Sequence, residues 1–131
     1  MILDTNFLGA LDDGDAGAQS LAERIESDDT PARIPTPVVF EIHRGIDGAD
    51  DSEAMRVRYE QLLAGKPRVE LSVTAARRGG RLYSRHRRSD RKERLDLVDA
   101  MVAGVALDHE EPVVTNDTAF GDVSGLSVRT Y

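Results

Sequence analysis

Cysteine is absent from the 131 residues, which excludes a disulfide framework and any thiolate metal site. Lysine is almost absent: Lys66 and Lys92 are the only two, and arginine supplies nearly all the other positive charge. No apolar run approaches the ~20 residues that a membrane helix needs, so no membrane span is expected. The chain does not open on a basic stretch followed by an apolar one, so a secretory signal is not expected either. Internal repeats and low-complexity linkers are also missing. Together these absences point to a cytoplasmic protein.

What is present describes a globular chain. Hydrophobic residues make up 40% and charged residues 31%, and the length suits one domain spanning residues 1–131 with a real core. The formal charge of -7 is unevenly spread. Acids gather at residues 12–15, 28–29 and 47–53, and bases at residues 77–94. An even acidic charge would argue against nucleic acid; this distribution does not. Two readings fit the acid-rich, lysine-poor balance: a halophilic, salt-adapted source, or a GC-rich genome that favours arginine codons.

Short apolar runs alternate with helical periodicities. Residues 1–4 read as a buried strand and 7–11 as a short helix. In residues 16–27, Ala18, Leu21, Ala22 and Ile25 recur at helical spacing. "RIPTP" reads as an extended piece, with Thr36 as N-cap and Pro37 at the first helical position of a helix over residues 37–46. Residues 52–64 are helical again, ended by Gly65 and Pro67. "RVELS" is a strand, residues 74–88 a basic helix, and "LDLVDAMVAGVALDHE" a helix apolar nearly all round and therefore buried. "PVVT" and "LSVRT" are the last strands. The alternation predicts an α/β fold, a mostly parallel central sheet flanked by helices, with ligands at the edge where strands end and helices begin.

Four carboxylates fall at that edge. Asp4 ends the first strand, and Asp117 follows the strand that ends at Thr115. Asp99 lies in the first turn of the buried helix, and Glu41 just over a turn into the helix that starts near Thr36. Each has an ordinary use. Asp4 could cap a helix, Asp117 could form a turn, and Glu41 could pair with Arg44. Asp96 and Asp99 resemble a capping pair; the cap falls to Asp96, and Asp99 is left for function. Gathered carboxylates repel and raise one another's pKa unless a cation compensates. Hard oxygen donors select Mg²⁺ or Mn²⁺, whose bound water can attack a phosphodiester. No EF-hand spacing occurs, which disfavours calcium.

"MILDTNFL", "VVFEIHRG", "DLVDAMVAGVAL" and "PVVTNDTAF" resemble the successive acidic motifs of PIN domains, in order and across nearly the whole chain. They are most similar to the small VapC-type toxins of toxin–antitoxin pairs. The resemblance implies a metal-dependent ribonuclease with an α/β/α sandwich, a homodimer, and inhibition by a small cognate antitoxin. It also implies that Asp4, Glu41, Asp99 and Asp117 form the acidic site and hold the metal. Asn6 would hold the first acid, and Thr115 and Asn116 would flank the last. One position departs from the pattern: many relatives carry an acid immediately before the phenylalanine of the last motif, where this chain has Ala119. Asp117 would supply that charge from two residues earlier, directly or through water.

The stretch "RRGGRLYSRHRRSDRKER" leads directly to Asp99. Its Arg81, Arg85, Arg87, Arg88 and Arg91 are candidates for RNA phosphate contacts, against the plainer reading of a solvated helix face. Tyr83 could stack a base but reads better as a core residue. His86 could shuttle a proton but reads better as a surface residue. His43 reads as surface and His109 as a helix-end dipole partner. Gly79 and Gly80 lack the spacing of a phosphate loop. The helices over residues 16–27 and 52–64 show apolar faces beyond one small sheet's needs, suited to a dimer seam or an antitoxin groove. Two other functions compete: a PIN-like module that binds RNA or a partner without turnover, and a phosphotransferase with Asp4 as nucleophile. The last usually carries a second acid where this chain has Asn6.

Overall fold

The computed structural model describes all 131 residues. Its elements run β1 (Ile2–Leu3), α1 (Thr5–Asp12), α2 (Ala16–Ser27), β2 (Ile34–Pro35), α3 (Thr36–Asp47), α4 (Ser52–Leu63), β3 (Arg68–Val69), α5 (Val73–Arg88), α6 (Leu97–His109), β4 (Val113–Val114) and β5 (Val128–Arg129). A 3₁₀ turn, Thr118–Asp122, lies between the last two strands.

All pairings are parallel. β1, β4 and β5 form one ladder, and β2 and β3 another. A bridge between Ile2 and Arg33 joins them, with the Leu3 N–H donating to the Arg33 carbonyl at 2.9 Å. The strands therefore stand side by side as β3, β2, β1, β4, β5. The chain builds outward from β1 in one direction, then returns to β1's other side with β4. That reversal makes the gap between β1 and β4 the switch point, where sheets of this kind leave a crevice at the strand ends.

The strands are shorter than their apolar runs suggest. "RVELS" contributes only Arg68 and Val69, because Leu71 turns its N–H to the Thr36 hydroxyl at 3.1 Å. That contact also corrects the expected cap. Pro35 is the N-cap of α3, Thr36 is already helical, and Pro37 follows within the first turn. A proline tolerates either early position, since its missing N–H would have had no helical partner.

Ile2, Leu3, Val113 and Val114 are at most 1% exposed, so the sheet centre is covered on both faces and its strands read as continuous apolar runs. α6 is buried as expected, from Val98 through Ala106 except for half-buried Asp99 and Met101. It lies unusually close to α5. A Cβ on Gly79 would stand 2.6 Å from the Ala100 carbonyl oxygen, and one on Gly104 would collide with the Ala75 carbonyl. Gly79 thus serves close helix approach and not a phosphate loop. The apolar face of α2 is not spare: Ala18, Leu21 and Ile25 belong to the core. On α4, Tyr59 and Leu63 are buried and Val57 is the exposed large apolar residue.

Candidate active site

Asp4 leaves β1 in extended conformation and starts α1. It is only 2% exposed. Its Oδ2 accepts a hydrogen bond from the Thr115 hydroxyl at 2.9 Å, while Oδ1 is buried without a partner. Burial pushes the Asp4 carboxyl up to about 6, and nearby Glu41 adds to the rise. The Thr115 hydroxyl and the neighbouring N–H groups of Thr5 and Asn6 oppose the shift without cancelling it. Thr115 is wholly buried at the end of β4, and its hydroxyl also accepts the Asp117 N–H at 3.1 Å. One hydroxyl therefore ties the first acidic segment to the last.

Glu41 reaches the same crevice from α3. Its Oε2 accepts the Thr5 hydroxyl at 2.6 Å, and Oε1 faces Arg44 at 3.5 Å. Asp96 caps α6, accepting the Asp99 N–H at 2.8 Å. Asp99 is half-buried, and its carboxyl is raised to about 8, by desolvation first and then by repulsion from Asp96, Asp4, Asp117 and Glu41. Asp117 caps the 3₁₀ turn, with Oδ1 accepting the Ala119 N–H at 2.9 Å. Asp4, Glu41, Asp99 and Asp117 line one cavity of about 230 Å³ with Thr5, Asn6 and Asp96, and no apolar residue joins them.

No three of these side chains are spaced to grip an ion directly. The donor set still suits a hard divalent cation, because Mg²⁺ takes one or two carboxylates and keeps several waters. The cavity has room for an ion and a few waters at ~30 Å³ each. The stranded Oδ1 of Asp4 is the atom that most needs a cation, since a buried carboxylate oxygen without a partner is costly.

Asn6 does not hold Asp4 through its side chain. Its Oδ1 accepts the Asn116 N–H at 3.3 Å and the Tyr131 hydroxyl at 2.6 Å. Asn116 in turn exchanges two bonds with the Tyr131 backbone, each 3.0 Å. The Tyr131 ring leans on Phe7 with centroids 5.1 Å apart. Sequence reading missed Thr5 and Tyr131, whose partners lie 36 and 125 residues away. Ala119 is buried against the core, so its position adds no charge to the crevice.

The basic helix is laid out differently. Arg81, Arg85 and Arg88 are exposed around a surface hollow with Arg77 and Ser84. Arg87 donates to the Tyr83 hydroxyl at 2.8 Å and lies 5.3 Å from its ring centroid, and Tyr83 is half-buried. Arg91 is exposed in the following loop. None of the five forms a salt bridge. His43 and His109 are exposed, but His86 is 1% exposed, which overturns its reading as a surface residue. Ala75, Gly79 and His86 mark the buried stripe of α5, a helical spacing visible in the sequence beneath the surrounding arginines.

The PIN domain family model matches residues 1–126. No curated protein is significantly similar in sequence. Among solved structures, the DNA-bound VapBC2 complex of Rickettsia felis contains a chain with TM-score 0.85 at 17% identity, covering 98% of this chain and 96% of that one. DNA-bound VapBC from Salmonella typhimurium gives 0.82 at 20% identity, with 98% and 96% covered. VapC20 of Mycobacterium tuberculosis, a sarcin–ricin-loop-cleaving toxin, gives 0.65 at 16% identity, with 92% of each chain covered. The fold, the order of the acidic segments and the family match agree: this chain belongs to the PIN-domain family.

Proposed function

We propose that the protein is a Mg²⁺- or Mn²⁺-dependent endoribonuclease, the toxin of a VapBC-like toxin–antitoxin pair. The observation that carries this reading is Asp4: a carboxylate 2% exposed, with one oxygen unpartnered, on a cavity lined by further carboxylates. Such a group is poorly served without a cation. Asp4, Glu41, Asp99 and Asp117 would hold the ion, some of them through water. A divalent ion bound there would lower the pKa of a bound water and offset charge on the phosphodiester.

The chain's own residues do the positioning. Thr115 fixes Asp4, and Thr5 fixes Glu41. Asn6, Asn116 and Tyr131 brace the segment that carries Asp117. Arg81, Arg85, Arg87, Arg88 and Arg91 present unneutralised charge to RNA phosphates. The antitoxin would occupy the cavity of about 410 Å³ lined by Leu11, Ala22, Ala32 and Pro67 beside Glu26, Asp29 and Lys66. Exposed Phe40 and Leu97 would serve a homodimer seam. The protein would act in the cytoplasm.

A binding module without turnover is the second reading, favoured by the lack of three directly converging ligands. RNA cleavage by purified protein with Mg²⁺, Mn²⁺ or EDTA, beside Asp4→Asn, separates the two. Metal-dependent cleavage lost in the variant supports the nuclease. A folded protein that binds RNA yet never cuts it, with either metal, supports the module.

A further inference from the structure

α5 carries Arg78, Arg81, Arg85 and His86 along one side, spaced three, four and one residues apart. Together with Lys92 and Ser124 they line a cavity of about 320 Å³ that contains no carboxylate. This is unusual for a chain with 24 acids against 17 lysines and arginines. Arg78 donates to the Leu107 carbonyl at 3.1 Å, and the Lys92 ammonium to the Asp122 carbonyl at 2.6 Å. These neutral acceptors orient the cations and leave their charge uncancelled. The remaining two arginines make no side-chain hydrogen bond within the chain. Four like charges around one hollow repel one another and favour an anion among them.

His86 adds an independent sign. It is 1% exposed, and its Nδ1 lies 2.8 Å from the Glu93 carbonyl oxygen. A carbonyl only accepts, so Nδ1 carries the proton and Nε2 is left as an acceptor. Nε2 is buried with no partner. A buried ring nitrogen left unsatisfied beside a cationic cavity would be completed by a ligand P–OH, or by a ligand oxygen when Nε2 also carries a proton.

The cavity is separate from the acidic site and shares no residue with it. Leu107 on its wall and Asp99 in the acidic site lie eight residues apart on α6, which is ~12 Å along the helix axis.

We propose that this cavity binds a phosphate group. Guanidinium and ammonium donors and a serine hydroxyl around one hollow suit a tetrahedral oxyanion with several acceptors, and His86 Nε2 adds a further donor when it carries a proton. The phosphate can come from an RNA backbone outside the cleaved bond, or from a small free phosphate. The binding itself stands without the nuclease reading; only the RNA source rests on it.

The test is a titration of the intact protein followed by NMR, through the His86 ring nitrogens and the Ser124 amide. The probes are inorganic phosphate and a short oligoribonucleotide, both in EDTA to prevent cleavage. The expected result is saturable shifts at both residues, weakened at least ten-fold by Arg81→Ala with Arg85→Ala. Arg24→Ala, on α2, serves as the control and leaves them unchanged. Oligonucleotide shifts at the same atoms, competed by phosphate, identify the backbone as the source. Phosphate shifts without oligonucleotide shifts identify a small-anion site. Linear, unsaturated shifts with both probes, equal in the double variant, would overturn the proposal. Because cleavage is never read, failure of the nuclease reading leaves this result standing.

Discussion

The carboxylates at the strand ends and the arginines of α5 are both gatherings of like charge, but the fold holds them in opposite ways. Asp4 is 2% exposed and fixed by a buried threonine, and Asp99 is half-buried among four other acids. Arg81, Arg85 and Arg88 are exposed on a helix whose other side packs against α6. Desolvation is imposed on the acids and spared the bases. A surface cation keeps its water and can displace counterions from RNA, at little cost to folding. A buried carboxylate strains the fold until a cation arrives. The acids should therefore trade stability for chemistry, and the arginines should trade almost nothing.

Substitution at Asp4 gives the largest expected contrast. Asp4→Asn removes a charge that the fold holds at a raised pKa of about 6. RNA cleavage should fall at least ~100-fold. Metal-free thermal stability at pH 8 should rise, since up to about 3 kcal/mol of ionisation penalty disappears. Differential scanning calorimetry with and without Mg²⁺ reads this directly. A variant less stable than the parent in EDTA would break the contrast.

The pH dependence comes next. Asp4 and Asp99 have folded-state values of about 6 and about 8, both above the ordinary 3.8. Between these values the folded state binds more protons than the unfolded one. Stability is therefore fully present below about pH 4 for these two groups and is lost as pH rises through about 6 and about 8. Metal-free melting temperature should fall across that window, and Mg²⁺ should flatten the fall. A profile that is the same with Mg²⁺ and with EDTA would contradict the role given to the pair.

Thr115→Val sharpens the comparison at the next level. It leaves Asp4 Oδ2 and the Asp117 N–H without their shared partner. The expected loss is about 1–3 kcal/mol of stability, with cleavage lowered ~10-fold. Thr115→Ser should recover most of both, because the hydroxyl returns. Chemical denaturation beside an activity assay separates the two effects.

Arg88→Ala should give the smallest effect. Its guanidinium is exposed and makes no salt bridge, so stability should change by no more than ~0.5 kcal/mol. Affinity for single-stranded RNA should drop a few-fold, with the slope of log affinity against log salt reduced by ~0.7. An unchanged salt slope would remove this arginine from the contact strip.

The sequence carries the acidic side of this comparison well. Short apolar runs that end in Asp4 and Thr115 place strand ends, and helical periodicity places Glu41 and Asp99 near helix starts. What it hides depends on distant parts of the chain meeting. The hydroxyl of Thr5 matters because Glu41 folds over it, and Asn6 turns away from Asp4 because Tyr131 reaches it. No local pattern encodes either contact. His86 is a different kind of miss. Its burial follows from the α5 stripe, but a surrounding run of arginines masks the periodicity. A hydroxyl before a proline looks like a cap, so the sequence sets the cap at Thr36, one residue late, whereas tertiary contact gives that hydroxyl to Leu71.

On the proposed reading, a divalent cation completes the acidic crevice. Mn²⁺ titration calorimetry near pH 6.5, in buffers of different ionisation enthalpy, measures both the binding and the protons released. One site per chain should appear, releasing about one proton per ion as the raised carboxyls ionise, and it should vanish in Asp4→Asn. Binding without proton release, or binding that survives Asp4→Asn unchanged, would contradict it.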